Sequence, residues 1–400
     1  MLHRTSRFAG ILVPLIVLAG VATSATASAA AAAGHPQVSA DAYVSPKGTD
    51  AGSCSKAAPC ATINYALSVA PSGGTVLVEP GDYHQTVSIT KPITLLGSGA
   101  GSTTINGSGI DPGGSDYGVV YVGAAGGAVT VSHFTIVNPY PFAYTGGEPE
   151  AVALADPNGA DAITISHNIV REGSADAQAG TDFPIGIDTF KNAASTTISD
   201  NTISGFFQGA LLEDNGPAKV QDNTFRDLIA NTYQGTSYPA EGLFFLSDLA
   251  GSITSQNASK NTFTKYAGYG IAASAGYDGG NCTTPCPGSL SGALTDNSFN
   301  IDGAPGSAAI SLSSQYSNDT LTMKVERNQG TVSRPDDSID ASSSNGATLS
   351  VSQQGNNIRV MPASSSHHHG TGAATAHRSS TVSASPKARI YSPHRADAAG

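Results

Sequence analysis

Along the middle of the chain a short pattern of apolar and polar positions recurs: Ile165-Ser-His-Asn168, Ile198-Ser-Asp-Asn201, Val220-Gln-Asp-Asn223 and Leu294-Thr-Asp-Asn297. Each is an apolar residue, a polar residue, an acid or His, and then Asn, usually followed by Thr or Ser and a β-branched or aromatic residue. The asparagines at 168, 201, 223, 261 and 297 are 33, 22, 38 and 36 residues apart. A constant phrase at irregular intervals means constant coils joined by connections of variable length. A second phrase alternates with the first: Ala151-Val-Ala-Leu154, Gly186-Ile-Asp-Thr189, Gly209-Ala-Leu-Leu212, Gly242-Leu-Phe-Phe245, Gly270-Ile-Ala-Ala273 and Ala309-Ile-Ser-Leu312. Its period-two alternation predicts strand. Two short strands per repeat, with no helical stretch between them, predict one coil of a parallel β-solenoid. The Asn should point inward at a corner, where each amide donates and accepts between coils, which an Asp could not do.

The N-terminal segment carries a more specific signature: Tyr43-Val-Ser-Pro-Lys-Gly-Thr-Asp50, Pro59-Cys-Ala-Thr-Ile63, Gly74-Thr-Val-Leu-Val-Glu-Pro-Gly-Asp-Tyr83 and Ile93-Thr-Leu-Leu-Gly97. With these motifs the chain, from about Tyr43 to about Ile358, resembles the right-handed parallel β-helix proteins of the pectate lyase-like superfamily. The resemblance implies an all-β, single-stranded right-handed parallel β-helix whose open N-terminal end is covered by a capping helix. Ile63, Ala66, Leu67 and Ala70 have the spacing that such a helix requires. A cap matters because an uncovered terminal coil is an exposed sheet edge.

Residues 1–29 read as a secretory signal: Arg4 and Arg7, an apolar run from Ile11 to Val21, and Ala27-Ser-Ala29 as cleavage site. The run is too short to span a bilayer, so secretion without membrane insertion is expected. Residues 30–42 read as a flexible mature N-terminus, 43–361 as the β-helix, and 362–400, rich in Ser, Ala and His, as a disordered tail. The paired spacing of Cys54 with Cys60 and of Cys282 with Cys286 predicts two local disulfides in that compartment. A net charge of -11 argues against nucleic-acid binding. The expected state is a monomer.

The chemistry is expected where the connections lengthen. The stretches from Asn138 to Glu150, Arg171 to Pro184 and Ala230 to Glu241 all run from an Asn strand to the next Gly strand, while Ser274 to Leu290 interrupts the other connection. Such walls make a cleft on a solenoid face. Tyr144, Tyr233 and Tyr238 in them, with outward-facing Phe244, are candidate platforms for a polysaccharide. Counting along the Gly strands, Asp188 and Glu213 point outward on adjacent coils, with side-chain bases roughly 7 to 8 Å apart. That spacing suits either glycosidase geometry. Phe190 and Leu246 flank Glu213 in register, which favours a protonated carboxyl and hence a general acid, with Asp188 as base or nucleophile. An elimination would instead use Ca²⁺ held by Asp156, Asp182 and Asp214 with Asp188 and Glu213, and Lys191 or Arg171 as base. The longer motifs of pectate lyases are missing, as is the polygalacturonase set of Asn-Thr-Asp, Asp-Asp and Gly-His-Gly. The fold therefore carries over without the family's catalytic residues. The rival reading is a non-catalytic polysaccharide-binding or surface adhesion module. A column of His133, His167, Asp200 and Asp222 beside the Asn corner is expected to be an exterior polar ladder rather than a metal site.

Overall fold

The computed structural model describes residues 40–110, 118–123, 125–138, 149–155, 162–173, 183–190, 195–213, 216–233, 236–247, 251–266, 268–276, 288–300, 308–315, 318–332 and 338–360. Each coil winds through three strands, not the two that the sequence pattern suggests. The Asn phrase holds the extra one: strand Ile163–Ser166 precedes the corner and strand Ile169–Arg171 follows it, with only His167 and Asn168 between them. A corner this tight reads as one strand in sequence.

The bend comes from the residue before each Asn, and in an earlier coil from the one before Phe134, which takes a left-handed conformation. His133, His167, Asp200, Asp222, Lys260, Asp296 and Arg327 have φ between 52° and 66°. His and Asp tolerate this region better than most side chains, which explains why they recur in the phrase. The column is an exterior ladder. The His133 and His167 rings stack at 4.9 Å, and Arg327 donates twice to Asp296 at 2.8 Å. Among the described residues no cluster of three His, Cys, Asp or Glu could hold a metal ion.

Strands one coil apart pair in parallel, giving three sheets among the described residues. The first has eleven strands, from Ala42–Val44 to Thr348–Gln354; the second nine, from Val87–Ile89 to Ile339–Ser343; the third ten, from Gly81–Tyr83 to Asn357–Val360. The chain is a right-handed parallel β-helix.

Inside the corner stands an asparagine ladder. Asn201 Nδ2 donates to Asn223 Oδ1 at 3.0 Å and to the Ile165 carbonyl at 2.9 Å, while its Oδ1 accepts from the backbone N–H and Nδ2 of Asn168 at 2.9 and 3.2 Å. The same links join Asn223 to Asn261 and Asn261 to Asn297. They continue to Asn328 and Asn356. These last two escape the sequence phrase because Arg327 and Gly355 stand where it has an acid or His.

The core is stacked in the same way. Phe225, Phe263 and Phe299 lie face to face at 4.9 and 5.1 Å. These rings explain the glycine that opens the second phrase: a Cβ on Gly242 would lie 2.5 Å from the Gly270 carbonyl and 2.6 Å from the Phe263 ring. The N-terminal end is closed by helix α1 (Ile63–Val69), which buries Ile63, Ala66 and Leu67. Thr62 caps it by accepting from the Tyr65 N–H at 3.2 Å, and Asp50 in turn accepts from the Thr62 hydroxyl at 2.8 Å. Cys54 and Cys60 form the expected disulfide beside it; Cys282 and Cys286 lie outside the described residues. No helix among the described residues is long and apolar enough to cross a membrane.

Two substitutions test this account by thermal unfolding. Asn223→Asp removes the Nδ2 donations to the Ile198 and Gln221 carbonyls and to Asn261 Oδ1 and sets a carboxylate beside that oxygen, and should cost about 3 kcal/mol or more. Gly242→Ala overpacks the coil and should cost about 1 to 3 kcal/mol. Unchanged midpoints would refute the ladder and the ring contact respectively.

Candidate active site

The outer face of the second sheet carries three rows of side chains. In register across the coils, the first is Glu150, Ile185, Gln208, Glu241 and Tyr269; the second is Ala153, Asp188, Leu211, Phe244 and Ala272. The third includes Phe190, Glu213, Leu246 and Ser274. Ile187, Thr189, Ala210, Leu212, Leu243 and Phe245 are buried, and all but Thr189 join the main core, as the alternation predicts.

Asp188 and Glu213 stand on adjacent strands two places apart in register, and Glu213 lies between Phe190 and Leu246. Asp188 is only 4% exposed and Glu213 is half-buried. Phe244 departs from expectation. It is fully buried and packs with Ile185, Leu211, Leu246 and Ala272 in a second apolar cluster outside the solenoid. Its ring therefore packs against its own chain and presents no open platform to a sugar. The need of an outward apolar row for a cover is met from within.

Of most of the long connections only the roots fall among the described residues. Asn138 Nδ2 donates to Glu172 at 2.6 Å, and the Gly173 N–H donates to the same carboxylate at 2.7 Å, fixing the roots of two of them. In the third, strands Asn231–Tyr233 and Thr236–Tyr238 form an antiparallel hairpin. Tyr238 is half-buried and meets Phe183 edge-on at 5.6 Å, and Phe183 meets Phe207 at 4.9 Å. Arg171 ends a strand of the third sheet and donates to the Glu172 carbonyl at 3.3 Å. Tyr144, Lys191, Asp156, Asp182 and Asp214 lie outside the described residues, as does the side chain of Tyr233.

The first row is what sequence reasoning misses. Glu241 is buried and accepts from Gln208 Nε2 at 2.7 Å. Burial pushes its pKa up to about 7, with the Gln208 hydrogen bond pulling the other way. Tyr269, its neighbour on the next strand, is pushed up to about 12 by burial and then by the charges of Glu241 and Asp340. This row faces out because alternation breaks at the glycines: Gly242 and Leu243 both turn inward. The available signal was a polar residue immediately before the Gly, as in Gln208-Gly209 and Glu241-Gly242. Elsewhere, a groove of about 470 Å³ opens on the outer face of the first sheet, lined by Thr197, Lys219, Ser255, Asn257 and Thr295 among others. It contains no carboxylate and lies away from these acids.

No family model matches the sequence, and no curated protein matches it. Solved structures do resemble it in fold. Pectin methylesterase from carrot is 14% identical, with 81% of this chain and 85% of that one covered and a TM-score of 0.45. A DFA-IIIase from Arthrobacter chlorophenolicus A6 is 12% identical, with 79% and 85% covered and a TM-score of 0.45. A family 28 exopolygalacturonase from Yersinia enterocolitica is 12% identical, with 75% of each chain covered and a TM-score of 0.33. At such identities and scores the activities of those enzymes remain properties of those enzymes.

The buried acid gives a signed pH prediction. Between the ordinary 4.5 and about 7 the folded protein keeps a proton on Glu241 that the unfolded chain has released. Stability from this group is therefore full at low pH and is lost as pH rises through that window, on the order of 1 kcal/mol per pH unit. Glu241→Gln should flatten the slope and raise the melting temperature above neutrality. A slope unaltered by the substitution would show that Glu241 is not its source.

Proposed function

We propose that the chain is a secreted carbohydrate-active protein that hydrolyses a polysaccharide on the outer face of the second sheet. One observation carries the reading: Asp188 and Glu213 occupy adjacent strands two places apart in register, with apolar neighbours on both sides of Glu213. Glu213 would protonate the glycosidic oxygen. Its apolar flank favours the neutral carboxyl that this role needs near neutral pH. Asp188 would either attack the anomeric carbon or deprotonate a water on the opposite face, since the register spacing of roughly 7 to 8 Å between side-chain bases suits both arrangements. Tyr238, half-buried with its ring edge-on to Phe183, would contact a chain laid along the face. The candidate Ca²⁺ ligands Asp156, Asp182 and Asp214 lie outside the described residues, and no step is routed through the ion.

The burial of Asp188 favours a second reading. A carboxylate with so little surface is poorly placed to meet a substrate, so the face would bind a polysaccharide through its rim without cutting it.

Incubating the secreted protein with a panel of neutral and acidic polysaccharides, with and without chelator, separates these outcomes. New reducing ends that resist chelation support hydrolysis. Ultraviolet-absorbing unsaturated products that vanish with chelator mean elimination, and retention on a polysaccharide without products means binding. Glu213→Gln and Asp188→Asn should each lower any hydrolysis by about 10²-fold or more. Full activity in either variant removes that residue from its role.

A further inference from the structure

The two ends of the β-helix are finished differently. At the N-terminal end helix α1 covers the first coil. At the other end the last coil, made of strands Ile339–Ser343, Thr348–Gln354 and Asn357–Val360, has neighbours on one side only among the described residues. Its inward residues Ile339, Ala341, Leu349, Val351 and Ile358 are only partly buried. Leu321 and Met323, which occupy the Leu349 and Val351 positions one coil earlier, are 0% and 1% exposed. Among the described residues nothing covers the end of the apolar core.

The edge itself is open to pairing. Strand Thr348–Gln354 has seven residues, no charge and no proline. Exposed edges are normally blunted by charges, Pro or bulges. The Thr348 N–H donates inward to Asp319 at 2.8 Å, and the Gln354 carbonyl accepts inward from Arg327 at 2.9 Å. By the alternation of a parallel ladder, the backbone groups of Leu349, Val351 and Gln353 face the free side. At the corner, Asn356 has no following asparagine. The backbone N–H and the Nδ2 hydrogen that earlier members give to the next Oδ1 have no acceptor among the described residues.

We propose that this end is a self-association surface, where a second copy adds strand Thr348–Gln354 antiparallel to the same strand of the first. A two-fold axis through Val351 sets Ser350 against Ser352 and Leu349 against Gln353, so no like charges meet. It also brings the edge Ile339–Ser343, which carries Asp340, opposite the edge Asn357–Val360 of the second copy, which carries Arg359. The corner at Asn356 then faces the corner at Asn345. A second copy suits this end better than the chain's own tail. Residues 361–400 offer only Met361, Val382, Ile390 and Tyr391 as large apolar side chains, too few to close a core.

Sedimentation equilibrium on the secreted full-length protein tests the proposal. The expected result is a dimer that dissociates on dilution, with slow hydrogen exchange at Leu349, Val351 and Gln353. Gln353→Pro removes one outward N–H and no internal bond, and Pro is tolerated on edge strands. It should give a monomer with unchanged circular dichroism and fast exchange at Leu349 and Val351. Leu349→Lys, a charge at the open end, should also give a monomer. A wild-type monomer across roughly a hundredfold range of concentration overturns the proposal. So does a dimer that survives both substitutions. Slow exchange on this edge in a monomer would mean that the chain's own tail covers it, and would overturn the second copy as occupant.

Discussion

Everything in this molecule depends on coils stacking in phase, and the asparagine ladder is the constraint that keeps them so. A buried corner leaves backbone groups that neither sheet can satisfy, and a buried donor or acceptor without a partner costs about 1 to 3 kcal/mol. One carboxamide per coil meets that need, because it donates to a carbonyl of an earlier coil and to the next amide while accepting from the previous coil. The left-handed residue before it makes the turn sharp enough for the amide to point inward. With the phase fixed at one corner, length can vary at the others without disturbing the stack. That is why connections as unequal as those after Arg171 and Ser204 share one scaffold.

The same division explains how much could be read from the residues alone. The ladder, the cap, the Cys54–Cys60 bridge and the inward set of the Gly strands were legible, because each follows from a local rule of spacing or chemistry. Two features were not. The third strand of each coil hides in the Asn phrase, since a corner of two residues leaves no loop to mark it. The row of Gln208 and Glu241 hides because two consecutive inward residues break the alternation at a glycine, and the break is set by Phe225 and Phe263 reaching in from another strand. A contact between distant segments leaves no mark in local periodicity.

The outer face of the second sheet shows how a scaffold can perturb an acid without a specialised motif. An apolar cluster lies over the strands that carry Asp188, Glu213 and Glu241. Removing water from around a carboxyl favours its neutral form, and Glu241 shows the effect. The burial that takes Phe244 away from any ligand is part of the same cover that tunes the acid beside it. Stability and chemistry draw on one set of contacts here, so an acid can be perturbed and still be structural.

The ladder also has a direction. Each ladder Asn turns its backbone N–H and part of its Nδ2 donation toward the coil that comes later in the chain, and the rest of that donation returns to a carbonyl of an earlier coil. A coil completed early is therefore left with two unanswered donors until its successor is laid down, whereas a successor arrives with its acceptor already in place. A coil added at the C-terminal side answers the two donors of the previous corner, and one added at the N-terminal side would answer the open oxygen of the next. The two ends of the ladder are therefore chemically unlike: its first oxygen, on Asn168, is answered by the Phe134 N–H, while the forward donors of Asn356 find no acceptor among the described residues.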